Sequence, residues 1–407
     1  MQVFKIERLG HQGDGIAPGP VFAPMTLPDE EVSGSLDGDR LADIRVLTPS
    51  PERVSPPCRH FKSCGGCQLQ HASDALVAEW KVEMVKQALD AHGLSTHFRP
   101  IITSPAQSRR RAVFSARRNR KSALAGFHAR ASNQVIATPN CNLVDPALLA
   151  GLRVSERLAE ICASRRNELN VTVTLSDGGL DVSAAGGPDA DRSKLVEMAV
   201  LAERFDLARL TWNNEIIVTR RPPIQSFAGI EIVPPPGAFL QATKEGETAL
   251  RDAVQEVVSG AKSIIDLFAG CGTFALPLAV QARVHAVEAS HDMIQALNKG
   301  WRNGNDLRQV TSETRDLFRN PVRADELSYL DACVIDPPRA GARAQVHELA
   351  RASIARIAYV SCNPRTFARD AAALIDAGYE LDWVQVVDQF RWSTHVELAS
   401  SFTLTSA

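Results

Sequence analysis

The sequence predicts an α/β protein, with a doubly wound parallel sheet in its C-terminal part and a β-rich N-terminal part. Three observations lead there. From about Lys244 onward, helical and strand-like segments alternate, as they do in a parallel sheet with crossover helices. A two-glycine loop, Gly270-Cys271-Gly272, separates an apolar strand from a helix within that alternation. Ahead of it, short alternating runs broken by Gly, Pro and Asp fill about the first 55 residues, and a tight cysteine group follows them.

In chain order, Val3 to Ile6, Gly19 to Phe22, Glu31 to Leu36 and Leu41 to Leu47 read as short strands of a small barrel of OB type. The links Thr48-Pro49-Ser50-Pro51 and Ser55-Pro56-Pro57 lead into the cysteines. Ser73 to His92 reads as a helix, with Ser73 as N-cap, apolar residues at helical spacing and Gly93 as the stop. Arg99 to Ile136 returns to strands and Pro146 to Ala163 to helix. Val171 to Val182 reads as a hairpin turning at Asp177-Gly178-Gly179, and Ala184 to Arg192 as a loop. The later alternation comprises helices at Glu245 to Val258, Phe274 to Ala279, His291 to Gly304 and Thr366 to Ala377. Its strands lie at Ser263 to Leu267, Arg283 to Val287, Tyr329 to Ile335 and Arg356 to Val360. Three domains follow: 1–55, an OB-like barrel; 56–235, a central β-rich domain with the cysteines; and 236–407, the doubly wound domain. The helix at 73–92 is expected to pack on the last.

The composition, 44% hydrophobic and 23% charged, is that of a globular protein, and no apolar run reaches the length of a membrane span. The N-terminus lacks the apolar core of a signal peptide, so a cytoplasmic location without membrane attachment is expected. The net charge of -2 argues against a polyanion partner, but its distribution does not. Arg109, Arg110, Arg111, Arg117, Arg118, Arg120 and Lys121 crowd one segment without an acid among them. That block reads equally as an RNA-contacting strip or as a solvated basic strand pair.

Ligands bind at the carboxyl ends of strands in doubly wound sheets. Asp266-Leu267-Phe268-Ala269-Gly270-Cys271-Gly272-Thr273 supplies such a loop, and Glu288 ends the next strand, where an acid can accept from ribose hydroxyls. The same glycines satisfy the looser dinucleotide pattern, with Ala275 at its last position, so the loop alone leaves both cofactors open. Its company decides. The turn Asp336-Pro337-Pro338-Arg339 after another strand resembles a methyltransferase motif, and the whole resembles the class I S-adenosylmethionine methyltransferase fold.

Methylating carbon 5 of a pyrimidine requires a thiolate that adds at carbon 6 and a base that later removes the carbon 5 proton. Cys362, in Ser361-Cys362-Asn363-Pro364 at the end of an apolar run, and Glu397, in His395-Val396-Glu397, are the candidates. The plainer alternatives are a buried structural thiol, the fate expected for Cys162, Cys271 and Cys333, and a solvated strand acid.

Val360-Ser361-Cys362-Asn363-Pro364-Arg365-Thr366, followed by Arg369-Asp370, closely resembles the nucleophile motif of the uracil-5 RNA methyltransferases. Asp388-Gln389-Phe390 with Thr394-His395-Val396-Glu397 resembles that family's C-terminal motif. The resemblance spans the catalytic half and implies Cys362 as nucleophile and Glu397 as proton acceptor. Phe239-Leu240-Gln241 looks like the family's Phe-x-Gln motif, which implies that Gln241 touches S-adenosylmethionine. Phe268, Glu288, Asp316 and Asp336 match further cofactor positions, beside the loop residues Gly270 and Gly272. Asp316 and Thr273 depart from the asparagines expected there.

Cys58, Cys64, Cys67 and the distant Cys141 form a three-plus-one set. Four thiolates suit an iron–sulfur cluster or a structural zinc, and the unbalanced spacing favours the cluster. A subgroup of the same methyltransferases carries a [4Fe-4S] cluster at this place, which implies these four as its ligands. The resemblance also implies that the N-terminal barrel, with Gly10-His11-Gln12-Gly13-Asp14-Gly15 as landmark, binds RNA; an ordinary glycine-rich hairpin is the alternative. The expectation is an RNA uridine-5 methyltransferase, with 23S ribosomal RNA favoured over transfer RNA. Two rivals remain: an iron–sulfur oxidoreductase with a dinucleotide loop, indifferent to loss of Cys362, and a non-catalytic RNA-binding protein.

Overall fold

The computed structural model describes residues 2–120 and 122–405, so Lys121 of the basic block lies outside the described residues. The N-terminal segment forms a six-stranded sheet in the order Gln2–Lys5, Glu31–Asp37, Arg40–Thr48, Val21–Ala23, Gly15–Ala17, Arg8–Leu9. Its small core is Ile6, Ala17, Val21, Ala23, Val32 and Leu41. Two strands here escaped the sequence reading, Arg8–Leu9 and Gly15–Ala17, because each is too short to show alternation. The glycine landmark is the turn joining them: Gly10 N–H donates to Asp14 O at 2.8 Å, and Gly13 N–H to Gly10 O at 2.9 Å.

A seven-stranded sheet occupies the middle of the chain, running from Val135–Ile136 through Arg111–Arg118 and Glu168–Ser176 to Glu215–Thr219. Helices Ala150–Cys162 and Arg192–Arg204 contribute to its core with Leu158, Ala159, Met198 and Leu201. The expected hairpin pairs Val173 with Val182 and Ser176 with Gly179. The helix Arg192–Arg204 was not expected; Asp191 caps it by accepting from Lys194 N–H.

The C-terminal sheet has eight strands in the order Val310–Thr314, Arg283–Glu288, Ser263–Leu267, Ala332–Ile335, Arg356–Ser361, Leu398–Leu404, Tyr379–Asp388, His97–Thr103. The first five run parallel, with Ser263–Leu267 central. The expectation of an all-parallel sheet is corrected at the last strands: Leu398–Leu404 pairs antiparallel with both Arg356–Ser361 and Tyr379–Asp388. The link between these two strands is only the loop 389–397, too short to carry a crossover, so the chain must turn back beside itself. That reversal places the loop at the rim where the parallel strands end. His97–Thr103 completes the sheet although it lies far upstream of residue 236, and pairs parallel with Tyr379–Asp388. The helix before it, Asp74–Asp90, is capped by Ser73, whose side chain accepts from Leu76 N–H. Val85 and Leu89 of that helix lie in the same apolar core as Phe367, Leu374 and Val386. Among the described residues no helix is long and apolar enough to cross a membrane.

Candidate active site

The carboxyl ends of the parallel strands form the floor of the site. After Leu267 the chain turns sharply: Phe268 has φ 64°, and Gly270 and Gly272 have φ 54° and 93°. A phenylalanine held there costs on the order of 1–3 kcal/mol, strain that clusters at ligand sites. The two glycines serve different ends. A Cβ on Gly272 would stand 2.8 Å from Leu276, so it permits packing, whereas one on Gly270 meets nothing within 4 Å and faces open space. Glu288 braces the loop from the next strand, accepting from Gly270 N–H at 3.1 Å and Ser290 N–H at 2.9 Å. Thr273, half-buried, follows the loop. Asp316 stands exposed beyond the strand Val310–Thr314 and accepts from Phe318 N–H at 3.0 Å. Phe318 reaches back to Phe268, ring centroids 5.6 Å apart, and the sequence reading missed it because a lone exposed aromatic carries no pattern. Together these residues outline an open shelf with a strained aromatic and two carboxylates beside a side-chain-free glycine.

The DPPR turn and the cysteine turn are tied together. Arg339 O accepts from Asn363 Nδ2 at 2.9 Å and from Thr366 Oγ1 at 3.3 Å. Asn363 also caps the helix Pro364–Asp376, with proline in its first turn. Cys362 therefore sits immediately before a helix N-terminus, the end whose partial positive charge favours a thiolate. Burial and the neighbouring Glu397 and Asp336 carboxyls nevertheless push its thiol up to about 11, with Arg339 opposing. Asp336 is raised by burial, and Glu397 by burial and by Asp336. Glu397 is only 3% exposed, which removes the solvated-acid alternative for it. The two carboxyls thus lie close enough to the thiol to make it harder to ionise, and Asp336 does the same to Glu397. Cys162, Cys271 and Cys333 are buried, while Cys362 is half-exposed.

Three further residues here were given no role in the sequence reading, although Gln389 and His395 stand in its C-terminal motif; the third is Lys81. Gln389 is buried between Gln241 and Glu397: its Nε2 donates to Gln241 Oε1 at 2.5 Å and to Glu397 Oε2 at 3.2 Å. Gln241 Nε2 in turn lies 3.5 Å from Asp336 Oδ2. The guanidinium of Arg339 donates to His395 Nδ1 at 2.8 Å, and His395 packs edge-on against Phe390. Burial and the charges of Arg339, Lys81 and Arg109 lower His395 to about 4, so it accepts as a neutral ring. Lys81, wholly buried, donates to Asp388 Oδ1 at 2.6 Å and to Phe390 O at 3.1 Å. A cleft of about 2100 Å³ opens over Cys362, Arg339 and His395, and its far wall includes Arg8 and His11 of the N-terminal sheet.

Cys58, Cys64, Cys67 and Cys141 line one cavity of about 250 Å³, with Gln70, Arg109 and Arg111. Among the described residues no group of three or more His, Cys, Asp or Glu side chains forms a metal-ion site. Burial pushes Cys67 up to about 12 and also raises Cys64 and Cys141, with the other thiols adding to the effect. The basic block divides. Arg110 is buried against Glu247 at 2.5 Å and donates to Gln241 O; Arg111 donates to Gly237 O; Arg117 pairs with Glu168. The described part of the block is not one solvated strip: Arg110 and Arg111 join the central sheet to the catalytic domain, whereas Arg117, Arg118 and Arg120 are exposed.

Residues 235–404 match the family model described as tRNA (uracil-5-)-methyltransferase. An uncharacterized RNA methyltransferase of Rhizobium meliloti is 45% identical, over 97% of this chain and 98% of its own. The 23S rRNA (uracil(1939)-C(5))-methyltransferase of a Shewanella species is 31% identical, over 99% and 96%. In structure, the Pyrococcus abyssi tRNA (uracil-54, C5)-methyltransferase, solved with S-adenosyl-L-homocysteine, superposes with a TM-score of 0.77, covering 98% of this chain and 99% of its own at 21% identity.

Proposed function

The chain belongs to the tRNA (uracil-5-)-methyltransferase family, S-adenosylmethionine-dependent enzymes that methylate uracil in RNA, and from that premise we propose that it methylates carbon 5 of a uridine in 23S-type ribosomal RNA. The observation that carries the reaction is the shared pocket of Cys362, Glu397 and Asp336, where each ionisable group feels the next. The ribosomal target rests on the 31% identity, end to end, with a 23S enzyme.

In this reading Cys362 Sγ forms a bond to carbon 6 of the uracil, and the ring electrons move to oxygen 4. S-adenosylmethionine, when bound there, would supply the methyl group, its methyl–sulfonium bond breaking as carbon 5 takes the methyl and S-adenosylhomocysteine leaving with the electron pair. Glu397 then takes the carbon 5 proton, the double bond between carbons 5 and 6 re-forms, and the thiolate leaves. Two features of the chain serve these steps. The helix N-terminus beside Cys362 and the Arg339 guanidinium stabilise the thiolate as it forms and departs. The low-polarity pocket raises Glu397, making it a stronger base once ionised.

Gln241, Phe268, Gly270, Gly272, Thr273, Glu288, Asp316 and Asp336 are assigned to the cofactor. The open space at Gly270 and the strained Phe268 support that set. Cys58, Cys64, Cys67 and Cys141 are assigned to a [4Fe-4S] cluster. What supports the group is the chemistry of the donor set, four thiols lining one cavity. The proposed reaction includes no net oxidation or reduction, so the cluster's part is to fasten the cysteine loop to the central sheet. The division into an N-terminal RNA-binding barrel (1–55), a central domain (56–235) and a catalytic domain (236–407) is kept, with residues 74–103 packed on the catalytic domain.

The test incubates the protein with methyl-labelled S-adenosylmethionine and unmodified ribosomal or transfer RNA, followed by nucleoside digestion. Labelled 5-methyluridine from ribosomal RNA is expected. Label only in transfer RNA overturns the target, and label in neither overturns the reaction.

A further inference from the structure

Resting on the assignment of Glu397 as base, we propose that Gln389 is a positioning residue that holds the base and the cofactor-side Gln241 in one fixed arrangement. Its amide has only one workable orientation. Ala242 N–H donates to Gln389 Oε1 at 2.7 Å, and a nitrogen turned to that point would set donor against donor. The NH₂ group must then face the opposite way, where it meets Gln241 Oε1 at 2.5 Å and Glu397 Oε2 at 3.2 Å. Both hydrogens are used, and every polar atom of this buried side chain has a partner.

The consequence runs in both directions. Gln241 Oε1 is occupied, so its own NH₂ is the part left to face Asp336 and the ligand shelf. Behind it, Arg110 holds Gln241 O and is itself neutralised by Glu247, so the backbone cannot slide. On the other side, one carboxylate oxygen of Glu397 is engaged, so in this reading the second is the one that takes the proton. The charges that act on Glu397 are those of Asp336, which raises it, and Arg339, which lowers it, both in the DPPR turn. Against burial and Asp336, the Gln389 amide is the hydrogen-bond donor that favours the ionised base.

The packing is built around this contact. A Cβ on Gly246, in the first turn of the helix Lys244–Val257, would stand 2.7 Å from Gln389 Cβ. Glycine at 246 is what lets the helix start approach the side chain so closely. Gly246→Ala should therefore displace Gln389 while leaving every polar group in place.

The experiment measures single turnovers with labelled S-adenosylmethionine and whichever of unmodified ribosomal or transfer RNA accepts label. Formation and breakdown of the covalent protein–RNA complex are followed separately on denaturing gels across pH. Gln389→Met should leave complex formation near the wild-type rate. It should slow breakdown about tenfold at neutral pH, because losing the donor raises the base and leaves less of it ionised. The rate should recover as pH rises, and Gly246→Ala should move the profile the same way. Gln389→Glu keeps the acceptor for Ala242 N–H but sets a second acid against Glu397. It should give the same alkaline displacement, and it carries the test if the methionine variant does not fold. Breakdown at the wild-type rate at every pH, or slowed equally at every pH, overturns the positioning role. Glu397→Gln separates that failure from failure of the underlying assignment: turnover in that variant shows that Glu397 is not the base, whatever Gln389 does.

Discussion

At the scale of single residues, the pocket makes opposite predictions for its two reacting groups. Cys362→Ala removes the atom that bonds carbon 6, so both the denaturation-resistant RNA complex and methyl transfer should vanish, a fall of at least about 10³-fold. Glu397→Gln keeps the nucleophile and loses the proton acceptor, so the complex should form and persist; a gel-shifted adduct that survives denaturant checks it. The same pair sets a pH dependence of stability. Asp336 and Glu397 are raised in the folded protein, so the native state holds more protons than the unfolded chain between their ordinary values of 3.8 and 4.5 and their raised values of about 7 and about 8. Stability from these groups is full below that window and declines as pH rises through it. The melting temperature of the ligand-free protein should fall across this range, and Glu397→Gln should flatten the slope. Cys362 and Glu397 could be singled out as candidates in the sequence because the proposed chemistry demands those two groups in such surroundings. Gln389 could not, since a glutamine gains meaning only from the partners that folding brings to it.

Among the elements, the loop 389–397 depends on a helix some three hundred positions upstream. Lys81 is a buried cation on an otherwise apolar face of the helix Asp74–Asp90, and Asp388 ends the strand that leads into the loop. Asp388 also accepts from Phe390 N–H at 3.1 Å, so one ion pair sets the exit direction of the chain toward Gln389. Removing one member of a buried pair leaves an uncompensated charge, which costs about 3–5 kcal/mol. Lys81→Ala should lose stability on that order in a urea unfolding curve, whereas the double replacement Lys81→Met with Asp388→Leu should regain most of it. A double variant as unstable as the single one would remove the pair from this role. The helix itself was readable from Ser73, its apolar spacing and Gly93, as were the strands Ser263–Leu267 and Arg356–Ser361 from their apolar runs. The reversed strand Leu398–Leu404 and the edge strand His97–Thr103 were not assigned to the sheet, because neither carries any mark of the partner it meets. Long-range pairing is a property of the packed chain, not of a window along it.

Across the whole molecule, the N-terminal half holds the catalytic loop from three sides. Gln68 and Leu69 N–H, directly after the cysteine loop, both donate to Trp392 O at 2.8 and 3.0 Å. Gly13 of the N-terminal sheet comes so close to the loop that a Cβ there would stand 3.1 Å from Thr394. Arg109 lines the cysteine cavity and lies 5.9 Å from the Phe390 ring. The cavity is thus one residue away from the segment that carries Gln389, His395 and Glu397. Whatever fixes the four thiols also fixes Gln68 and Leu69, and through them Trp392. Cys67→Ser, or a chelator that strips the proposed cluster, should therefore act at a distance. The melting temperature should fall by about 2–4 °C for each kcal/mol lost. Amide hydrogen exchange should quicken at 68–69 and in the loop 390–395, while the strands Ser263–Leu267 and Arg283–Glu288 stay protected. Cys162→Ala, which leaves the cavity lining intact, should spare exchange in that loop. If Cys67→Ser alters exchange only around the cysteines themselves, the cavity and the catalytic loop are mechanically separate, and the contact at Trp392 O serves local packing alone.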